Sequence, residues 1–276
     1  MNCLRAGRFN LPLCSKTYVM GILNVTPDSF SDAGKYFDAN KAAVYALEMC
    51  GQGADIIDIG AQSTRPDAEP VSAQTEIERL SPVLEALKGR LNVPVSVDTF
   101  YPQTAEYALS NGASIINDVS GRVDGRMASI VNSHNAGWVI MHNCGGAGAH
   151  PEYPQGVANA VRSFFEASLR RAGELAVESE RICLDVGIGF GKSHEDNLTL
   201  IKELRKIKID GIALLVGASR KRLIGIAANE PDPTARAAGT VAAHTLAIAG
   251  GADIIRVHDV RQAVQAARTA EAILYG

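Results

Sequence analysis

Asp98, Asn117 and Asp185 share a setting that turn chemistry does not explain. They stand at the polar ends of short, continuously apolar runs: VPVSVD (93–98), ASIINDV (113–119) and RICLDVG (181–187). A carboxylate offers acceptor oxygens that match two adjacent N–H donors, as on an aminopyrimidine. An asparagine offers a donor and an acceptor, which suits a mixed ring edge. The plainer role for each carboxylate is to cap the helix that follows. A second set is cationic: in DIIRVHD (253–259), Arg256 and His258 flank Val257, so in a strand both point to one side. Such a pair suits an anion such as phosphate. Arg256 is also placed to form a salt bridge with an internal carboxylate, and His258 to be a hydrogen-bonded core residue. Third, GASRKR (217–222) brings Lys221 directly after another apolar run, where it can reach inward. The nearby loop GIGFG (187–191) lacks the GxGxxG spacing of a dinucleotide fingerprint. Its glycines let backbone approach a flat ligand, with Phe190 available to stack on a ring.

These residues need a scaffold that brings strand ends together. Eight apolar runs bounded by turn residues cross the chain: TYVMGILNV (17–25), ADIIDIG (54–60), the three above, GWVIMH (137–142), GIALLVGAS (211–219) and DIIRVHD. Continuous hydrophobicity predicts strands covered on both faces, as in a parallel sheet. Helical periodicity lies between them. Ile77, Leu80, Leu84 and Leu87 form one stripe behind a Ser72 N-cap, Ala105, Ala108 and Leu109 form another before Gly112, and Val260, Val264 and Ala267 form the last. Eight alternating units in about 250 residues are the (β/α)8 barrel pattern, with a doubly wound open sheet as runner-up. The fold expectation is an α/β, single-domain TIM barrel over residues 1–276, with residues 1–16 as an N-terminal extension. In a barrel the strand ends converge on one face, and nearly every run here ends in a polar group: Asn24, Asp58, Asp98, Asn117, His142, Asp185, Ser219 and Arg256. A shared ligand accounts for that better than eight separate turns. Asn24, an oxygen ligand next to the cationic run, is placed to hold a Mg2+ ion bridging to the anion.

Bulk properties narrow the classes. A net charge of −3 gives no basic face for nucleic acid, and no apolar run approaches the ~18 residues of a membrane span. The N-terminus has no secretory signal pattern. Five scattered cysteines without paired metal-ligand spacing fit free thiols in a cytoplasmic location.

Taken in order, NVTPDSFSD (24–32), DIGAQSTRP (58–66), VSVDT (95–99), INDVSG (116–121), MHN (141–143), GIGFGK (187–192), SRK (219–221) and IRVHDV (255–260) resemble dihydropteroate synthase of the pterin-binding family. The resemblance spans residues 18 to 260. It implies a homodimeric transferase of folate biosynthesis, the target of sulfonamides. Such an enzyme condenses 6-hydroxymethyl-7,8-dihydropterin diphosphate with 4-aminobenzoate, giving 7,8-dihydropteroate and pyrophosphate. Asp98, Asn117, Asp185 and Lys221 would then hold the pterin, with Val119 and Met141 packing nearby. Asn24, Arg256 and His258 would hold the diphosphate and Mg2+. Thr64, Arg65, Pro66, Phe190 and Lys221, with Phe30 and Asp32 of the first loop, would shape the aminobenzoate site. Asp98, Lys221, Arg256 and His258 are the residues to which catalysis is assigned.

The sequence departs from the family pattern in places. Val186 replaces a common proline, Ala61-Gln62 a common Gly-Glu, Cys144 a common basic residue and Arg222 a common serine. Arg222, or the N–H groups of the helix it opens, is expected to meet the aminobenzoate carboxylate. Two other readings are open: a pterin-dependent methyltransferase of similar barrel, and a non-catalytic pterin-binding paralogue. Arg256, His258 and Asn24 speak against the first, since it needs no diphosphate pocket. The loops with TPDSFSD and STRP speak against the second.

Overall fold

The computed structural model describes residues 2–13, 16–26, 38–62, 71–145 and 151–276. A hairpin of β1 (Cys3–Ala6) and β2 (Phe9–Pro12) precedes the barrel. The chain then alternates: β3 (Tyr18–Asn24), α1 (Ala39–Gly51), β4 (Ile56–Gly60), α2 (Ala73–Leu87), β5 (Val95–Asp98), α3 (Pro102–Ser110), β6 (Ile115–Asp118) and α4 (Gly125–Ser133). It continues through β7 (Gly137–Met141), α5 (Val157–Glu174), β8 (Ile182–Asp185), α6 (His194–Lys202), α7 (Leu204–Ile207) and β9 (Ala213–Val216). The last elements are α8 (Arg222–Ala227), α9 (Ala237–Ala249), β10 (Ile254–Val257) and α10 (Val260–Tyr275). Strands β3 to β10 pair in sequence order, all parallel, and β10 closes on β3. Each of the eight apolar runs supplies one barrel strand, so the closed barrel stands and the open sheet does not.

Side-chain alternation explains how this barrel displays polar groups. Outward residues such as Ile57, Ile59, Val97, Ile116, Leu184 and Val257 pack against the helices. Inward residues such as Met20, Ile56, Ile115, Val139, Cys183, Leu215 and Ile254 fill the interior. Two residues further along each strand, the inward position falls at the strand end. There Asp58 follows Ile56, Asn117 follows Ile115, Asp185 follows Cys183 and Arg256 follows Ile254.

The helices form where the spacing predicts. Ser72 caps α2 by accepting from the Thr75 N–H at 3.1 Å, and Leu80, Leu84 and Leu87 are buried, with Val83 between them. Ile77, expected on that stripe, is only half-buried. Ala105, Ala108, Val260, Val264 and Ala267 are buried as expected. Among the described residues no helix is long and apolar enough to cross a membrane.

The N-terminal extension is more than an appendage. Leu4, Ala6 and Leu11 of the hairpin join the interior apolar cluster with Tyr18, Met20 and Ile254, which closes the end of the barrel opposite the strand tips. The Gly7 N–H donates to Asn135 O at 2.8 Å, and the Tyr18 hydroxyl donates to Pro12 O at 3.0 Å. Burial of each hairpin leucine is worth about 1.5–3 kcal/mol.

Candidate active site

At the strand tips the side chains form one connected polar cluster. Arg256, on β10, donates from Nε to Asp58 Oδ2 at 2.6 Å and from Nη2 to Asp98 Oδ2 at 2.9 Å. Asn117 Nδ2 donates to the same Asp58 oxygen at 3.1 Å. Asp58, Asp98 and Asn117 are all buried. The salt bridge weighed for Arg256 from sequence is therefore present, to two carboxylates at once. Two buried acceptors in this cluster, Asp58 Oδ1 and Asn117 Oδ1, have no protein partner, and neither has the hydroxyl of Ser96, one layer below Asp98. Orphaned buried polar atoms are costly, which makes a cluster of them a place for a ligand's donors or for water.

Burial sets the charges. The Asp98 carboxyl is pushed up to about 7 by desolvation; Arg256 opposes that shift and Asp58 reinforces it. Asp185 is likewise raised by burial, against the pull of Lys221 and of the Gly187 N–H, which donates to Asp185 Oδ1 at 2.8 Å. Burial alone would lower Arg256, yet Asp58 and Asp98 hold it above its ordinary value. It stays a cation throughout.

Lys221 precedes α8 and turns its ammonium inward, to Ile188 O and over the Phe190 ring at 4.7 Å from the centroid. Its pKa is lowered to about 8 by burial, with Asp185 working against the shift. No carboxylate of the described residues lies within ion-pair distance of it, which leaves the ammonium available to an acceptor on a bound molecule. The loop beneath is tightly held. Lys192 Nζ donates to His142 O at 3.0 Å, Gly187 O at 2.9 Å and Phe190 O at 3.0 Å, and Asn197 Oδ1 accepts from the Gly189 N–H at 2.7 Å. Gly187 has φ +66°, and a side chain there would collide with the His142 carbonyl.

His258 is half-buried, and its Nδ1 is 2.9 Å from Ser219 Oγ. Burial, with Arg220 and Arg256 nearby, lowers its pKa to about 4. Without ligand it is neutral at pH 7, so the standing positive charge at this strand end is that of Arg256, and His258 can offer a hydrogen bond. Asn24 ends β3 with an exposed side chain, and its Oδ1 lies 3.7 Å from the position a Cβ would take at Gly60 of the neighbouring strand. Met141 is buried and Val119 half-buried, both at tips flanking the cluster. Arg222 is exposed in the first turn of α8, beside a hollow that also contacts Glu230 and Arg236. Phe30, Asp32, Thr64, Arg65 and Pro66 lie outside the described residues.

The structure thus brings together Asp98, Asn117, Asp185, Phe190, Lys221, Arg256 and His258. Sequence reasoning named Asp58 and Ser219 only as polar strand ends on the shared face and Lys192 only as part of a motif, and gave none of them a role of its own. Asp58 was visible as an inward polar strand end, whereas nothing in the sequence signalled that Lys192 clasps three carbonyls.

Comparison with known proteins gives a consistent result. The model of the family described as pterin binding enzyme matches residues 20–258. The dihydropteroate synthase of Bacillus subtilis is 46% identical, over 94% of this chain and 89% of that protein. The one of Synechocystis is 44% identical, over 94% and 90%. Among solved structures, Xanthomonas albilineans dihydropteroate synthase with 4-aminobenzoic acid superposes with a TM-score of 0.92 at 38% identity, covering 100% of this chain and 99% of that one. The Thermus thermophilus enzyme in complex with 6HMPPP gives 0.84 at 41% identity, covering 99% and 100%.

Proposed function

This chain belongs to the pterin-binding enzyme family, and from that premise we infer how its strand-end cluster carries the reaction. The protein is a dihydropteroate synthase, a transferase that joins 6-hydroxymethyl-7,8-dihydropterin diphosphate to 4-aminobenzoate and releases pyrophosphate. The observation that carries the assignment of roles is the buried set of acceptors: the Asp185 carboxylate, the Asp98 carboxylate and the unpartnered Asn117 Oδ1. A reduced pterin presents several N–H donors along one edge, and these oxygens answer them.

Asp98, Asn117, Asp185 and Lys221 hold the ring on this reading, between Met141, Val119 and the Phe190 loop. The amine nitrogen attacks the methylene carbon, the carbon–oxygen bond to diphosphate breaks with its electron pair leaving on the diphosphate, and the amine loses a proton. Positive charge that develops on the methylene spreads into the ring, where the Asp98 carboxylate stabilises it. Arg256 supplies charge at the diphosphate side, and neutral His258 a hydrogen bond. A neutral arylamine needs no strong base, so holding the two substrates together contributes most. Thr64, Arg65, Pro66, Phe30, Asp32 and Arg222 are assigned to the aminobenzoate side.

At the end of β3 the Asn24 side chain is exposed, and its Oδ1 is a hard oxygen donor that would hold a Mg2+ ion. Bound there, magnesium would neutralise charge on the departing diphosphate. A homodimer is part of the proposal: exposed Leu198, Ile226 and Leu246 sit on α6, α8 and α9, which pack against one another. So is a cytoplasmic location, where Cys3, Cys50, Cys144 and Cys183 stay as free thiols.

The test is product identification. Purified protein with both substrates and Mg2+ is expected to yield dihydropteroate on chromatography, and a sulfonamide to compete with 4-aminobenzoate. Tight pterin binding with no dihydropteroate would favour a binding paralogue.

A further inference from the structure

Asp58 has no role so far beyond its place in the cluster, yet its geometry is unusual. One of its oxygens, Oδ2, accepts from two functional side chains at once: Arg256 Nε at 2.6 Å and Asn117 Nδ2 at 3.1 Å. The other, Oδ1, is buried with no partner, and the residue as a whole has 0% exposure. In register, Asp58 lies opposite Ser96 on β5, and Asp98 lies opposite Asn117 on β6. Asp58, Ser96, Asp98 and Asn117 therefore face inward on three successive strands.

We propose that Asp58 is a positioning residue that makes Asn117 a hydrogen-bond acceptor toward the pterin and holds Arg256 at the rim of the pocket. A carboxylate can only accept, so the end of the Asn117 amide that meets Asp58 must be the NH2 group. The Asn117 carbonyl oxygen is then directed away from Asp58, and it is the atom left without a protein partner. Asparagine by itself is ambivalent, able to show a ligand either end of its amide. Asp58 removes that ambivalence, and the pocket becomes selective for ring N–H groups over ring acceptors. The same carboxylate oxygen fixes the Nε edge of Arg256, leaving Nη2 on Asp98 and the guanidinium held from two sides. Paired charges of this kind are held rigidly in a buried site. This inference rests on the dihydropteroate synthase reading for the identity of the ligand and goes beyond it in naming what orients the ligand's partners.

The test is a reciprocal swap. In Asp58→Asn the new amide can turn either end to Asn117, and in Asn117→Asp two carboxylates face each other with no donor between them. In the double variant D58N/N117D the new amide can donate from its NH2 to the new carboxylate while its own carbonyl oxygen accepts from Arg256 Nε, and an acceptor is again presented to the ligand. Affinity for unphosphorylated 6-hydroxymethyl-7,8-dihydropterin, measured by calorimetry, is expected to fall at least tenfold in each single variant and to return to within tenfold of the parent in the double. The KM for 4-aminobenzoate is expected to stay within twofold in Asp58→Asn. A single variant that binds the pterin as the parent does overturns the inference, and so does a double variant more than tenfold weaker than the parent. Should Asp58→Asn fail to fold, the double variant decides by that same tenfold limit. A parent that binds the pterin but forms no dihydropteroate would defeat the reading of function while leaving the swap interpretable.

Discussion

Replacing Asp98 by asparagine keeps the size of the side chain and removes a charge from the centre of the cluster. The Asp98 carboxylate is buried and accepts from Arg256 Nη2 at 2.9 Å; in the variant Arg256 keeps only its charged partner Asp58. A hydrogen bond to a charged group is worth about 1.5–3 kcal/mol, and each 1.36 kcal/mol is tenfold, so pterin affinity and turnover are expected to fall roughly ten- to a hundredfold. Stability should respond in a different direction. Asp98 titrates near 3.8 when unfolded and about 7 when folded, so between these values the folded state binds more protons. A carboxyl raised in this way contributes stability at low pH that is lost as pH rises toward about 7, after which both states are ionised. Asparagine has no such slope. Relative to the parent, Asp98→Asn should therefore gain stability between about pH 4 and pH 7 and hold that gain above it. Urea denaturation of the ligand-free proteins at pH 5 and pH 8, beside calorimetric titration with 6-hydroxymethyl-7,8-dihydropterin, measures both effects. Unchanged pterin affinity would remove Asp98 from the site. A stability difference that does not move with pH would refute the reasoning about its charge.

Lys221→Met removes the ammonium that lies over Phe190 and should raise the KM for the pterin diphosphate roughly tenfold or more. Because burial lowers Lys221 to about 8, the parent should lose pterin affinity as pH rises through that value, a limb that the variant lacks; an identical alkaline limb in both assigns it elsewhere. His258, lowered to about 4 in the ligand-free protein, meets the diphosphate as a neutral hydrogen-bonding ring, so His258→Gln should keep more activity than His258→Ala; equal losses would mean the hydrogen bond is irrelevant. Arg222→Ala should raise the KM for 4-aminobenzoate several-fold with the pterin KM unchanged, and an unchanged aminobenzoate KM would free Arg222 of that role. Leu4→Ala opens a cavity in the hairpin that closes the barrel, at a cost of about 2–5 kcal/mol, and should lower the midpoint of denaturation while kcat of the folded protein stays near the parent's.

The barrel was legible because its strands are buried on both faces, and such strands advertise themselves as unbroken apolar runs. The hairpin was not, since CLRA and FNLP are each 4 residues long, too short for a pattern and each interrupted by a polar residue, Arg5 or Asn10, and what makes them structural is the barrel end they cover. Asp98, Asn117, Asp185, Lys221, Arg256 and His258 were legible from residue type at a strand end. Their interactions were less so. That Arg256 would be held by Asp58 depends on a partner 198 residues away, brought close only when β10 closes on β3. The neutrality of His258 follows from burial first, and from Arg220, 38 residues before it in the chain, as well as from Arg256 in the same motif; the local motif reports only the last of these. Lys192 is similar: its three carbonyl acceptors come from two different loops.

The most direct test of the central claim, that the strand-tip cluster carries dihydropteroate synthesis, is pyrophosphate release from 6-hydroxymethyl-7,8-dihydropterin diphosphate, with and without 4-aminobenzoate, by the parent and by Asp185→Asn. Release that requires the amine in the parent, and that falls at least tenfold in the folded variant, is the predicted result. Release that ignores the amine, or that survives the loss of the Asp185 carboxylate undiminished, would contradict the account.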